Sequence, residues 1–436
     1  MTYEEAVSYL ENASSFGIKP GLERITALLV ALGNPEKSYK TIHVTGTNGK
    51  GSVTTYIAYA LFNSGLRVGR FTSPHLESYT ERMEINESPI SENAFGQLID
   101  TVQQSVEDIV KAGVERPTQF EILTAAAFLF FKEQGVDYAV IEVGLGGLLD
   151  STNVITPVVS VITNVTIDHQ AYCGNTVEEI ATHKAGIIKE GIPVVTAAQE
   201  QPLHIIEDKA NAMHAPLYVF NKKFGIDSRS AMKGGQMITV SAEGVSPAML
   251  FTSMAGIHQA VNLACAYMAV QIIMANDDTI SEETMREGFA RAKWAGRFEI
   301  MKYNNRTIIL DGAHNAAGAE SFSMTYDELF KNEPKALIMA VLDDKDRHSI
   351  IRNIVKGKDR VYTVPAPTPR STEPTVLGTM IGQDVPGASI EVCSSVTKAL
   401  EKALAHTSQD QVIVVCGSLY ILGEARHYLL TQDAAL

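Results

Sequence analysis

His43-Val44-Thr45-Gly46-Thr47-Asn48-Gly49-Lys50-Gly51-Ser52 decides how the rest of this chain is read. The run Thr41-Ile42-His43-Val44 entering it has the texture of a buried strand, and Val53–Asn63 leaving it has the pattern of a helix. Glycines let the backbone curl so that its N–H groups face an anion, and the helix N-terminus adds the positive end of its dipole. Lys50 can reach the outer phosphates of a nucleotide, and Ser52 can ligate magnesium or a phosphate oxygen. In the strict form of such loops Ser or Thr follows the lysine directly, whereas here Gly51 intervenes. A glycine-rich turn alone is more often a plain turn. Strand, lysine, serine and helix in this order point to nucleotide binding through Thr47, Asn48, Gly49, Lys50, Gly51 and Ser52.

Outward from the loop, short apolar runs alternate with helical patterns. Tyr138–Ile141 and Val158–Ile162 read as further buried parallel strands, and Ser91–Val110 and Glu121–Glu133 as amphipathic helices. That alternation predicts an α/β fold, a P-loop NTPase-like doubly wound parallel sheet. From about Gln199 to Met254 the texture changes to short alternating strands with glycine turns, Lys233-Gly234-Gly235 among them, which predicts a small antiparallel insertion. A second, Rossmann-like α/β domain follows, with strands expected at Thr307–Leu310, Ala336–Met339, Arg360–Thr363 and Val412–Val415. The expected domains are 1–296 and 297–436, hinged around Trp294-Ala295-Gly296. Pro365, Pro367 and Pro369 mark a loop inside the second domain.

The 436 residues suit two or three domains, and the net charge of −14 argues against a nucleic-acid partner, which needs concentrated Lys and Arg. A local phosphate pocket remains compatible with that charge, because backbone amides and one lysine can build it. Cys173, Cys265, Cys393 and Cys416 form no CxxC pair, so neither a zinc site nor a disulfide framework is suggested. The N-terminus is acidic and no apolar run approaches a membrane span, so a cytoplasmic protein with no membrane partner is expected.

Ligands of open α/β sheets sit beyond the carboxyl ends of strands. Ser73 follows the strand-like Arg67–Phe71, Glu142 ends the strand from Tyr138, and His169 follows Val158–Thr163. A hydroxyl, a carboxylate and an imidazole, joined by Ser52, suit a divalent cation on nucleotide phosphates. Singly, each has a plainer role: Ser73 capping a turn with Pro74, Glu142 a solvated strand end, His169 a loop residue. Asp168 competes with His169 for the metal.

These motifs, taken together, resemble the folylpolyglutamate synthase and dihydrofolate synthase family of the Mur ligase superfamily. The resemblance covers nearly the whole chain: Val44–Ser52, Thr72–Leu76, Tyr79–Asn86, Glu142–Gly147 with Asp150 and Asn153, His183–Lys189, His258–Asn262, Ala295–Glu299, Asp311–Asn315, Val341–Asp346 and Gly417–Glu424. It implies that Lys50 and Ser52 hold ATP phosphates and magnesium, with Ser73, Glu142 and His169 completing two metal sites. Lys184 matches a lysine carbamylated in many superfamily members. By the same resemblance, Asn262 and Arg297 contact ATP, while Asp311 and His314 meet the ribose and the reaction centre. ATP would then lie between domains whose closure assembles the site. The chain departs from the family where Leu148 replaces the usual arginine, removing a fork of donors. Ala295 likewise replaces the usual proline before the hinge glycine. Neither the segment Gln170–Gly174 nor Ala255-Gly256-Ile257 follows the commoner family pattern.

The resemblance implies an ATP-dependent carboxylate–amine ligase acting as a monomer. Its substrates would be ATP, L-glutamate and a folate or dihydropteroate, joined through an acyl phosphate. Two other readings remain. A nucleotide-binding regulatory protein that has lost ligation draws on Leu148. Another Mur-type ligase would usually carry an extra N-terminal domain, and only about 40 residues precede the loop here.

Overall fold

Buried without a break from Thr41 to Thr45, strand β1 (Lys40–Thr45) is covered on both faces, as a strand inside a parallel sheet must be. The computed structural model describes residues 1–436 except Ser15, Phe16, Ile18, His169, Lys233 and 434–436. After β1 come β2 (Val68–Phe71), β3 (Met83–Ile85), β4 (Ser88–Pro89), β5 (Tyr138–Glu142), β6 (Val159–Ile162), β7 (Val194–Thr196) and β8 (Leu217–Val219). They form one eight-stranded sheet in the order β4-β3-β2-β5-β1-β6-β7-β8. It is parallel from β2 to β8, with an antiparallel β3–β4 hairpin at one edge. The chain leaves β1 for β2, returns to β5, then crosses to β6 on the other side of β1. The strand order therefore reverses around β1.

Register carries the consequence. Val44 pairs with Glu142, Thr45 with Ile162, and Phe71 with Ile141, so the carboxyl ends of β1, β2, β5 and β6 share one edge. The helices Glu92–Lys111 and Gln119–Glu133 appear as expected, each started by a side-chain cap. Ser91 Oγ accepts from Ala94 N at 3.3 Å, and Thr118 with Glu121 forms a capping box. Phe71, Phe95, Phe128, Phe131 and Ile141 share one core cluster.

Two expectations need correction. The stretch from Gln199 is not antiparallel at first: Glu200–Ala212 is a helix burying Leu203, Ile206 and Ala210, and it leads into β8 of the main sheet. The insertion proper is β9 (Phe224–Met232), β10 (Gly235–Ala242) and β11 (Val245–Thr252), in the order β11-β10-β9. Of its expected turn, Lys233 lies outside the described residues. The second correction concerns membrane spans. Helix Ile257–Met274 is long and apolar enough to cross one, but 67% of it is buried within the fold. A core helix covered on most sides has little polar face, which is why composition alone cannot tell the two apart.

By contacts the chain splits into one unit of Met1–Ser230, Met237–Ser253 and Gln259–Ala292, and another of Ala231–Gln236, Met254–His258 and Lys293–Leu436. The second holds β12 (Glu299–Tyr303), β13 (Arg306–Asp311), β14 (Ala336–Met339), β15 (Arg360–Thr363), β16 (Ser389–Val392) and β17 (Ile413–Cys416). Their order is β12-β13-β17-β14-β15-β16, and only β12 runs antiparallel. The sequence reading found the four inner strands. It missed β12 and β16, edge strands whose residues are only partly covered and so lack a continuous apolar run.

At the amino ends of β14 and β15, Lys335 Nζ donates to Asp359 Oδ2 at 2.7 Å with both side chains buried, and the ammonium sits 4.9 Å over the Tyr326 ring. Asp359 also accepts from the backbone N of Lys335 and of Lys356. Removing one member strands a buried charge. Asp359→Ala is expected to cost about 3–5 kcal/mol in denaturant unfolding; a loss below about 1 kcal/mol, the range of exposed pairs, would contradict this account.

Candidate active site

The helix after β1 starts at Lys50, three residues before the sequence reading placed it, so Lys50, Gly51 and Ser52 form its first turn. Gly49 is its N-cap at φ +86°, and Gly46 sits at φ +152°. Both positions also demand the absence of a side chain. A Cβ at Gly46 would lie 1.8 Å from Thr163 Oγ1, and one at Gly49 would lie 2.3 Å from Asn262 Oδ1. The loop is tied to the segment after β6. Thr163 Oγ1 and Asn164 Nδ2 donate to Asn48 O at 2.6 and 3.0 Å, and Asn48 N donates to Asn164 Oδ1 at 3.0 Å. Thr47 N donates to Asn164 O at 2.9 Å. Lys50 Nζ arches back to Gly46 O and Thr47 O at 3.1 and 3.2 Å. A glycine N-cap has no side-chain oxygen to offer the N–H groups that open the helix, so they suit an anionic ligand. The cradle fits a nucleotide polyphosphate.

Ser73 and Glu142 come together on neighbouring strands: Ser73 N donates to Glu142 Oε2 at 3.2 Å, and Glu142 is buried. Ser52 is buried in the first helical turn, its Oγ accepting from Gln259 Nε2 at 3.2 Å. A carboxylate and two hydroxyls are the hard oxygen donors that magnesium prefers. His169 lies outside the described residues. Among the described residues no three His, Cys, Asp or Glu side chains cluster as a metal site.

Lys184 is buried in helix Val177–Ala185. Burial first, then the Lys50 charge, lowers its pKa to about 7, against the opposing pull of Cys173, Asp168 and Asp150. Asp150, buried after β5, has its pKa raised by burial and gathers the loop around itself. It accepts from Leu145 N at 2.8 Å, from Thr152 N at 3.0 Å and from the Thr152 hydroxyl. Because that hydroxyl donates to Asp150, His43 Nε2 must donate to Thr152 Oγ1, 2.9 Å away. Burial and Lys189 lower the His43 pKa to about 3, so the ring is neutral. Leu148 is 41% exposed. Its backbone holds the loop through N to His183 O at 2.8 Å and O from Asn153 Nδ2 at 3.0 Å.

In the second unit, Asp311 ends β13, accepting from Phe298 N at 2.8 Å and Ala313 N at 2.9 Å. Burial raises its pKa while Arg297 opposes the rise. A Cβ on Gly312 would fall 2.7 Å from Arg297 Nη1, so the guanidinium lies against this turn. His314 Nδ1 donates to Gly312 O at 2.8 Å, which holds the ring against this turn. Arg297, Asp311 and His314 thus share one turn. Sequence reasoning missed Gln259, Asn164, Thr152 and His43. Gln259 stood beside Asn262 in a motif already quoted, whereas nothing in spacing singled out Asn164.

A phosphate cradle at the reversal point of one sheet, followed by a second α/β unit, defines a Mur-type ligase architecture. The family model described as "Mur ligase middle domain" matches residues 44–270, and "Mur ligase, glutamate ligase domain" matches 296–419. Dihydrofolate synthase/folylpolyglutamate synthase of Bacillus subtilis is 35% identical over 437 residues, spanning 98% of this chain and 99% of its own length. The crystal structure of folylpolyglutamate synthase from Thermotoga maritima superposes with a TM-score of 0.86 at 39% identity, covering 99% of this chain and 97% of that one. An FPGS–AMPPCP–folate complex superposes at 0.81 with 32% identity, covering 99% and 100%. The chain belongs to the folylpolyglutamate synthase/dihydrofolate synthase family of the Mur ligase superfamily. It is an ATP-dependent amide ligase.

Lys50→Ala should lower turnover by roughly 10³ or more, the scale of lost transition-state charge stabilisation. Its ammonium is part-buried and bonds the carbonyls of Gly46 and Thr47 in its own loop, so the thermal midpoint should move little. Near wild-type turnover in steady-state ADP release would contradict the loop assignment.

Proposed function

We propose that this chain adds L-glutamate to the carboxylate of a folate, of dihydropteroate, or of both, consuming ATP. The observation that carries the reading is the phosphate cradle sharing one sheet edge with Ser73 and Glu142. It stands in a chain matched along its length by an enzyme bound to AMPPCP and folate. Lys50 draws charge from the terminal phosphoryl group as the substrate carboxylate attacks it, giving ADP and an acyl phosphate. The glutamate amine then attacks the acyl carbon, and phosphate leaves from the tetrahedral adduct. Magnesium would be held in two sites by Ser52, Ser73, Glu142 and His169, and supplies neutralisation of phosphate charge. In the same proposal Asn262, Arg297 and Asp311 bind nucleotide and His314 serves the reaction centre. Residues 1–296 and 297–436 act as the two domains of a cytoplasmic monomer that engages neither nucleic acid nor membrane.

ADP release is the direct test. It is expected to require glutamate together with dihydropteroate or tetrahydrofolate, and the two acceptors assayed side by side identify the activity. Release that ignores glutamate, or none with either acceptor, would favour the regulatory reading.

Lys184 is proposed to carry a carbamate. With a pKa near 7 its amine is substantially neutral at neutral pH, and only the neutral form adds carbon dioxide. Addition replaces a cation with oxygen donors that suit magnesium. Below about pH 7 the amine protonates, so the carbamate and the activity should fall together and recover with added bicarbonate. Carbon-13 bicarbonate should give a carbamate resonance that Lys184→Ala abolishes. That variant should lose most activity and regain part with a short added carboxylate. A spectrum identical in wild type and variant removes the modification.

A further inference from the structure

We infer that Gln259 is a positioning residue that sets the Ser52 hydroxyl for the divalent cation of the phosphate loop. The inference rests on the nucleotide-binding reading above and extends it to a residue outside the loop. Gln259 lies near the start of helix Ile257–Met274, a helix so apolar that a buried amide in it requires compensation. Its side chain is 1% exposed, and both ends of its amide are engaged. Asn262, one turn further along the same helix, donates from Nδ2 to Gln259 Oε1 at 3.1 Å. Only a carbonyl oxygen can take that bond, so the NH2 end must face the loop, where Nε2 donates to Ser52 Oγ at 3.2 Å.

The direction of this last bond matters. A serine hydroxyl has one proton and two lone pairs. With one lone pair taken by Gln259, the other is left for a cation and the proton is turned away from the amide. Asn262 also covers Gly49, whose missing Cβ would sit 2.3 Å from Asn262 Oδ1. The pair therefore sets the Gln259 amide and closes over the loop with one contiguous set of contacts. Apolar packing does not need this arrangement, since a leucine or methionine at 259 would fill similar space without burying an amide.

The test measures ADP affinity by titration calorimetry, once with magnesium and once with EDTA, on the full chain. Wild type is expected to bind ADP more tightly with magnesium. Gln259→Met should lower that magnesium-dependent gain by about tenfold or more and leave the EDTA affinity within about twofold, as loss of a ligand-orienting group does. Ser52→Ala should lose a similar gain, and the double variant should be no worse than either single one, because both act through one hydroxyl. Equal weakening with and without magnesium, an unchanged gain, or additive losses would each overturn the inference. Should Gln259→Met lose its cooperative thermal transition, Gln259→Glu enters the same cycle. It keeps an acceptor for Asn262 and offers no donor to Ser52. A wild-type chain that binds no ADP would instead overturn the nucleotide reading itself.

Discussion

How closely the backbone can pass its neighbours at two glycines sets the rest of the site. Gly46 and Gly49 occupy positive-φ conformations and lie where a single added carbon would collide with Thr163 and Asn262. Because nothing projects there, the loop presses against the segment after β6, to which Thr47 N and Asn48 N donate, and against helix Ile257–Met274. Lys50 can then bridge its carbonyls, and Ser52 is buried in the first helical turn. A bulkier residue at Gly46 would collide with Thr163, and one at Gly49 with Asn262.

Beside this cradle a run of buried polar groups is linked by hydrogen bonds. His43, Thr152 and Asp150 form one hydrogen-bonded chain from the centre of β1 to the loop that follows β5. The burial that keeps His43 neutral and raises the Asp150 pKa also makes each unmade bond costly, so the loop shape is tightly specified. Leu148 sits at the exposed lip of that loop, its backbone bonded to His183 and Asn153 and its side chain close against Gly186. The second unit builds its turn by the same means, with Asp311 gathering two backbone amides and Gly312 making room for Arg297.

The sequence by itself determined much of this architecture. Continuous apolar runs marked β1, β5, β6 and the four inner strands of the second sheet, because a strand covered on both faces has no polar side. The loop motif identified the nucleotide site, because glycine most readily takes the positive-φ turns such a loop needs and a long cation reaches the outer phosphates. The places where it failed share one cause. Edge strands β12 and β16, the helix Glu200–Ala212 and the true start of the insertion depend on which face a neighbour covers, and local composition does not record that.

Tertiary structure alone decided the partners. Ser73 meets Glu142 because Phe71 pairs with Ile141 across two strands that are 67 residues apart or more in the chain. Gln259 meets Ser52 across 207 positions. The helix Ile257–Met274, apolar enough to cross a membrane, is a core helix only because the fold surrounds it. Local sequence can state which groups are able to bind phosphate or cation, since that is a property of each side chain. Which of them stand within 3.2 Å of one another follows from strand register and helix packing, which are properties of the folded chain.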